Sequence, residues 1–138
     1  YVYLTGGVTR MEGPDGEPGY AIADVDGLNK MLAKHVVTSQ RPICGQEVRF
    51  LRSVLELSQT SLAKIMGVDR STIARWESQP HEPIRDVNDT AIRLVYAGHQ
   101  DVTSVMKDVM DVLRAEDEKV HSERITLSFD NGWSRSAA

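Results

Sequence analysis

The stretch Ser58–Glu77, SQTSLAKIMGVDRSTIARWE, decides how this chain folds. Counted from Gln59, the residues Leu62, Met66, Val68, Ile73 and Trp76 stand at positions four, eight, ten, fifteen and eighteen. Two short crossed helices burying a shared seam require that spacing. Ala63 falls where the helices touch, and a larger side chain there would push them apart, because close packing penalises even one extra methylene. Gly67 falls at the bend, where φ above zero is commonly required and glycine carries no Cβ penalty. Ser58 is expected to cap the first helix at Thr60 or Ser61, and Asp69 the second at Ser71 or Thr72. No Glu or Gln follows three residues after Ser58, so the capping box is incomplete there. Pro80 and Pro83 should stop the second helix near Gln79.

Over roughly Gly45 to Arg85 the chain resembles the Cro/C1, or XRE-type, helix-turn-helix family, through LR at 51–52, LSQTSLAKIMGV, STIARWE and the prolines that follow. The resemblance implies a mainly α fold, a Cro/C1-like helix-turn-helix bundle of about five helices. It also implies an ion pair between Arg52 and Glu77, a bracing role for Gln59 beside the reading helix, and a DNA-backbone contact from Arg85. By analogy with the family, the chain is expected to be a repressor.

With 41% hydrophobic residues the 138-residue chain can fill a modest core. No apolar run approaches the ~18 residues of a membrane span, and the start lacks a basic-then-apolar signal pattern, so a cytoplasmic protein is expected. The sequence begins at Tyr1 rather than Met, and residues upstream are expected to be missing. Cys44 is the single cysteine, which excludes an internal disulfide and a thiolate zinc site within one chain. The four histidines are scattered, and neither a Gly-rich phosphate loop after a strand nor a nucleophile motif is present, so no catalytic residue, metal or cofactor is expected.

A net charge of −4 is not the footprint of a basic DNA-binding protein, yet its distribution is uneven. Residues 1–44 hold four Lys/Arg against five Asp/Glu, residues 45–80 five against four, and residues 81–138 seven against eleven. Only the middle third is positive, and Lys64, Arg70 and Arg75 belong to its two motif helices. Acidic flanks weaken non-specific phosphate binding and make affinity lean on base contacts.

Outside the motif, the pattern predicts a small N-terminal segment over 1–40, a DNA-binding domain over 45–118, and a C-terminal tail or edge strand over 119–138. In the first, strands at Tyr1–Arg10 and Tyr20–Ala23 flank the turn GPDGEPG in a β-hairpin, followed by a helix capped by Asp24 or Asp26 and running to about Val37. That helix should bury Leu28, Leu32 and His35 or Val36. Val48, Leu51, Val54 and Leu55 mark a scaffold helix. Val87, Ala91, Leu94 and Val95 mark another, from Asp86 to Ala97 and ended by Gly98. A last helix from Asp101 to about Glu118 carries the stripe Val102, Val105, Met106, Val109, Val112 and Leu113, from which a homodimer is expected. ITLSF reads as an edge strand, DNG as a turn and Trp133 as a packing anchor.

A major groove about 12 Å wide admits one helix, whose first turns reach base edges. Arg70, Ser71, Thr72 and Arg75, opposite Ile73 and Trp76, are the candidate base contacts. Ser58, Gln59 and Thr60, at the positive end of the first motif helix, suit a phosphate oxygen. The expected partner is a palindromic double-stranded operator. An alternative is an antitoxin or interaction module that also binds a toxin. Tyr1–Ala21 is similar to the later part of the zinc-binding domain that MqsA-type antitoxins place before their DNA-binding domain, although no CxxC is present.

Overall fold

The computed structural model describes residues 2–99 and 125–136. Its elements run β1 (Val2–Thr5), β2 (Val8–Glu12), β3 (Pro18–Ile22), α1 (Val25–Thr38), α2 (Gly45–Val54), α3 (Gln59–Met66), α4 (Arg70–Ser78), α5 (Asp86–His99), β4 (Ile125–Phe129) and β5 (Trp133–Arg135). They fall into two compact units, Tyr1–Leu32 with Ser122–Ala138, and Ala33–His121. The second unit is a bundle of helices, α2–α5 with the end of α1, and the first carries the N-terminal β-hairpin.

In the first unit, the strand expected over Tyr1–Arg10 breaks at Gly6 and Gly7, both at positive φ. A side chain at Gly7 would also lie 2.8 Å from the Trp133 ring, so the break has steric as well as torsional cause. Beyond it, β2 and β3 form the hairpin, with Val8 opposite Ile22 and Arg10 opposite Tyr20. Before it, β1 runs parallel to β4, Val2 opposite Ile125. ITLSF is therefore not an edge strand: β4 lies between β1 and β5. Its alternation turns Ile125 and Leu127 inward, onto Leu28 and Trp133, with Leu4, Met31, Leu32 and Phe129 packed around them. Asn131 and Gly132 turn the chain at positive φ, and Trp133 anchors β5, its indole N–H donating to the carbonyls of Ala23 and Asp24 at 2.9 and 3.0 Å. Asp24 starts α1 by accepting from the Gly27 N–H at 3.0 Å.

In the second unit, Ala33 and Val37 are the fully buried residues of α1, while His35 and Val36 are half-buried. Ala33 and Val37 join Val48, Leu51, Leu55, Leu62, Ile73, Ile92 and Tyr96 in one core, with Val36 packed against it. The N-terminus of α2 is held by a capping box: Glu47 accepts from the Cys44 N–H at 3.0 Å and pairs with Arg41. Burial first, and then the charge of Glu47, push the Cys44 thiol up.

The α5 face differs from the expected one. Val87 is 81% exposed and Leu94 37%, whereas Ile92, Arg93, Tyr96 and Ala97 are buried. Among these inward residues stands one guanidinium. Arg93, 2% exposed, donates to the carbonyls of Val37, Ser39 and Arg41 at 2.8, 2.6 and 2.9 Å and pairs with Asp89. Asp89 in turn accepts from the Ile43 N–H at 2.7 Å. The linker between α1 and α2 thus has its polar backbone satisfied by side chains of α5, as burial demands. Gly98 does not end α5, which continues to His99. The helix expected over 101–118, and its apolar stripe, lie outside the described residues.

Candidate nucleic-acid interface

The two motif helices meet as their sequence requires. Ser58 caps α3, its hydroxyl accepting from the Ser61 N–H at 3.0 Å. Gly67 ends α3 in the left-handed conformation at φ 70°, and the N–H groups of Gly67 and Val68 both return to the Ala63 carbonyl. A Cβ at Gly67 would meet nothing within 4 Å, so the demand for glycine is torsional and not steric. Leu62, Ala63, Ile73 and Trp76 are buried in the seam, with Met66 and Val68 packed against it.

Asp69 occupies the N-cap position of α4, but its side chain makes no cap hydrogen bond. Its carbonyl closes the first turn instead, accepting from Thr72 N–H at 2.9 Å and Ile73 N–H at 3.4 Å. At Gln79 the helix stops, ahead of Pro80 as expected.

Burial of Ile73 and Trp76 turns the other side of α4 to solvent. Arg70, Ser71 and Arg75 are exposed and Thr72 is half-buried. Ser58 and Thr60 are exposed at the start of α3. Arg85 is exposed too, and its carbonyl accepts the first N–H groups of α5.

Behind this surface lies a four-group lock. The Arg52 guanidinium donates to both Glu77 oxygens, Nε to Oε1 at 2.6 Å and a terminal nitrogen to Oε2 at 3.0 Å. Gln59 donates to Glu77 Oε2 at 2.9 Å, and Arg52 also reaches the Leu57 carbonyl at 3.0 Å. The lock ties α2, the start of α3 and the end of α4 into one body, so Gln59 is half-buried and turned to Glu77. Side-chain exposures of 20% for Arg52 and 7% for Glu77 put the pair well below the surface regime in which ion pairs contribute little.

Burial raises the Glu77 carboxyl, but the hydrogen bonds from Arg52 and Gln59 and the charges of Arg52 and Arg49 outweigh it and hold the group below its ordinary value. A depressed carboxylate stabilises the fold above its unfolded pKa, about 4.3, and that contribution disappears as pH falls through the folded value. Glu77→Gln should therefore cost about 2–4 kcal/mol at pH 7 and progressively less toward pH 3. Urea denaturation of both proteins across that range measures the difference; a pH-independent gap would contradict the assignment.

Arg49 was not among the expected site residues. It is exposed on α2 one turn before Arg52, and its charge is felt at Glu77. The apolar stripe of the scaffold helix does not mark its polar side; the three-residue spacing of Arg49 and Arg52 is the signal the sequence carries.

Residues 52–83 match the family model described as helix-turn-helix. No curated protein and no solved structure matches the chain. The segment is a helix-turn-helix of XRE type, a class of DNA-binding regulatory domain and not an enzyme family, and it supports a DNA-binding transcriptional regulator. Among the described residues no helix is long and apolar enough to cross a membrane.

Proposed function

We propose that the chain is a dimeric, sequence-specific repressor that reads the major groove of a palindromic operator with α4. The observation that supports this reading is the solvent-facing set Arg70, Ser71 and Arg75 on a helix locked through Glu77 and lying within the matched helix-turn-helix. A preorganised helix loses little freedom on docking, so its side chains can spend their interactions on bases.

Arg75 is the residue suited to a bidentate contact with guanine O6 and N7, and Thr72 offers a hydroxyl or a methyl group against thymine. Arg70 and Ser71 complete the base-reading set. Ser58 and Thr60, with Gln59 between them, set register on the phosphates at the positive end of α3, and Arg85 adds a further backbone contact.

Arg75→Ala should weaken operator binding by about 1–3 kcal/mol and relax preference at one base pair. Fluorescence anisotropy at fixed salt, with duplexes varied at single positions, is the check; equal affinity for every duplex in both proteins would overturn the role.

A second reading is that of an antitoxin which also binds a toxin and represses its own operon. Its support is the excess of acidic residues over 81–138, eleven against seven Lys/Arg, which suits a basic partner. Co-purification with a small basic protein would favour it.

A further inference from the structure

Among the described residues the β2–β3 hairpin is a two-stranded sheet. Among the described residues neither outer edge is paired, and all five β2 residues are exposed. Register places Val8, Arg10 and Glu12 on one face with Pro18, Tyr20 and Ile22. On that face Val8 is 44%, Ile22 40% and Tyr20 71% exposed, and Met11 on the opposite face is 55% exposed. A lone two-stranded hairpin is marginal in water, and an exposed strand edge is a template for pairing.

The two edges are not equivalent. Hydrogen bonds from Gly13 N–H to the Glu17 carbonyl and from Ala23 N–H to the Gly7 carbonyl fix which residues bond across the hairpin. By antiparallel alternation Thr9 and Met11 aim their backbone groups at β3, while Val8, Arg10 and Glu12 aim theirs outward. The β3 edge has Pro18 among its outward residues and lacks that donor; the β2 edge is complete.

From this geometry we infer that β2 pairs antiparallel with β2 of a second copy of the chain, centred on Met11, to make one four-stranded sheet. Outward-facing residues must stand opposite one another, which leaves few registers. Centring on Arg10 or on Glu12 sets like charges face to face. Centring on Met11 sets Arg10 of each copy opposite Glu12 of the other, giving two ion pairs across the twofold axis, and brings the two Met11 side chains together. Charge self-complementarity on an open edge is what selects a second copy as the occupant.

This inference rests on the dimer of the proposed function and names its interface. Met11→Cys should form a covalent dimer on mild oxidation of the full chain, since directly opposed non-hydrogen-bonded residues lie within disulfide reach. Thr9→Cys, opposite Gly13 of the other copy, should not. Glu12→Arg should weaken dimerisation about tenfold or more by analytical ultracentrifugation, and Arg10→Glu with Glu12→Arg should restore it. Absence of the Met11→Cys cross-link, equal cross-linking through Thr9→Cys, or no recovery in the double variant would each overturn the interface. A dimer with the expected cross-link that binds no DNA would instead overturn the repressor reading and leave the interface standing.

Discussion

Arg93→Met is expected to leave the helical unit largely unfolded at 25 °C. The substitution keeps most of the side-chain volume but strips the hydrogen bonds from the carbonyls of Val37, Ser39 and Arg41 and leaves Asp89 without its cation. Removing one partner of a buried ion pair costs about 3–5 kcal/mol, and each stranded buried carbonyl adds about 1–3. Those losses are comparable with the 5–15 kcal/mol total stability of a typical domain. Circular dichroism with urea titration reads the effect. Arg93→Lys, which keeps the charge but not the fork that spans three carbonyls, should fall between wild type and Arg93→Met. Wild-type stability in Arg93→Met would show that the linker is held by other means.

Gly45→Ala should destabilise the same unit by about 3 kcal/mol or more. A Cβ at this position would lie 1.9 Å from the Trp76 carbonyl oxygen and 2.5 Å from that of Gln79. Both are backbone atoms, so no rotamer change can relieve the clash, and overpacking of this kind typically costs 1–3 kcal/mol even where side chains can adjust. Here α2 must draw back from the end of α4, loosening the Gly45 N–H bond to the Glu82 carbonyl and the Gln46 N–H bond to the Pro80 carbonyl. Thermal unfolding should show a drop of roughly 10 °C or more. DNA affinity of the fraction still folded should fall too, because the same end of α4 carries Glu77 of the lock. A melting temperature within a degree or two of wild type would mean that α2 and α4 do not approach as described.

The parts of the fold written into local constraint were legible. Seam positions from Leu62 to Trp76, the left-handed Gly67 and the Ser58 cap each follow from what neighbouring residues must do, and the Arg52–Glu77 pair followed from family resemblance. What escaped depends on partners far along the chain. Arg93 carries no local mark of burial, which depends on the carbonyls of Val37, Ser39 and Arg41, and Val87 and Leu94 stand outward against the apolar pattern. The parallel pairing of β1 with β4 joins residues more than a hundred positions apart and leaves no local trace. Asp69 has the chemistry of a cap without the bond, since propensity states only what a residue can do. For the candidate interface, helical spacing identified which side of α4 is buried, and hence which is exposed. The family resemblance implied that Gln59 braces the reading helix, but that Glu77 is its partner depends on the crossing of three helices.

Whether α4 reads a palindromic operator is decided by selection of bound duplexes from a randomised pool by the full chain at physiological salt. Enrichment of an inverted repeat whose half-sites are centred about 10 base pairs, one DNA turn, apart is expected, and it should be lost when Arg70, Ser71, Thr72 and Arg75 are all replaced by alanine. No enriched sequence, or the same sequence enriched by the fourfold variant, would contradict operator reading by α4.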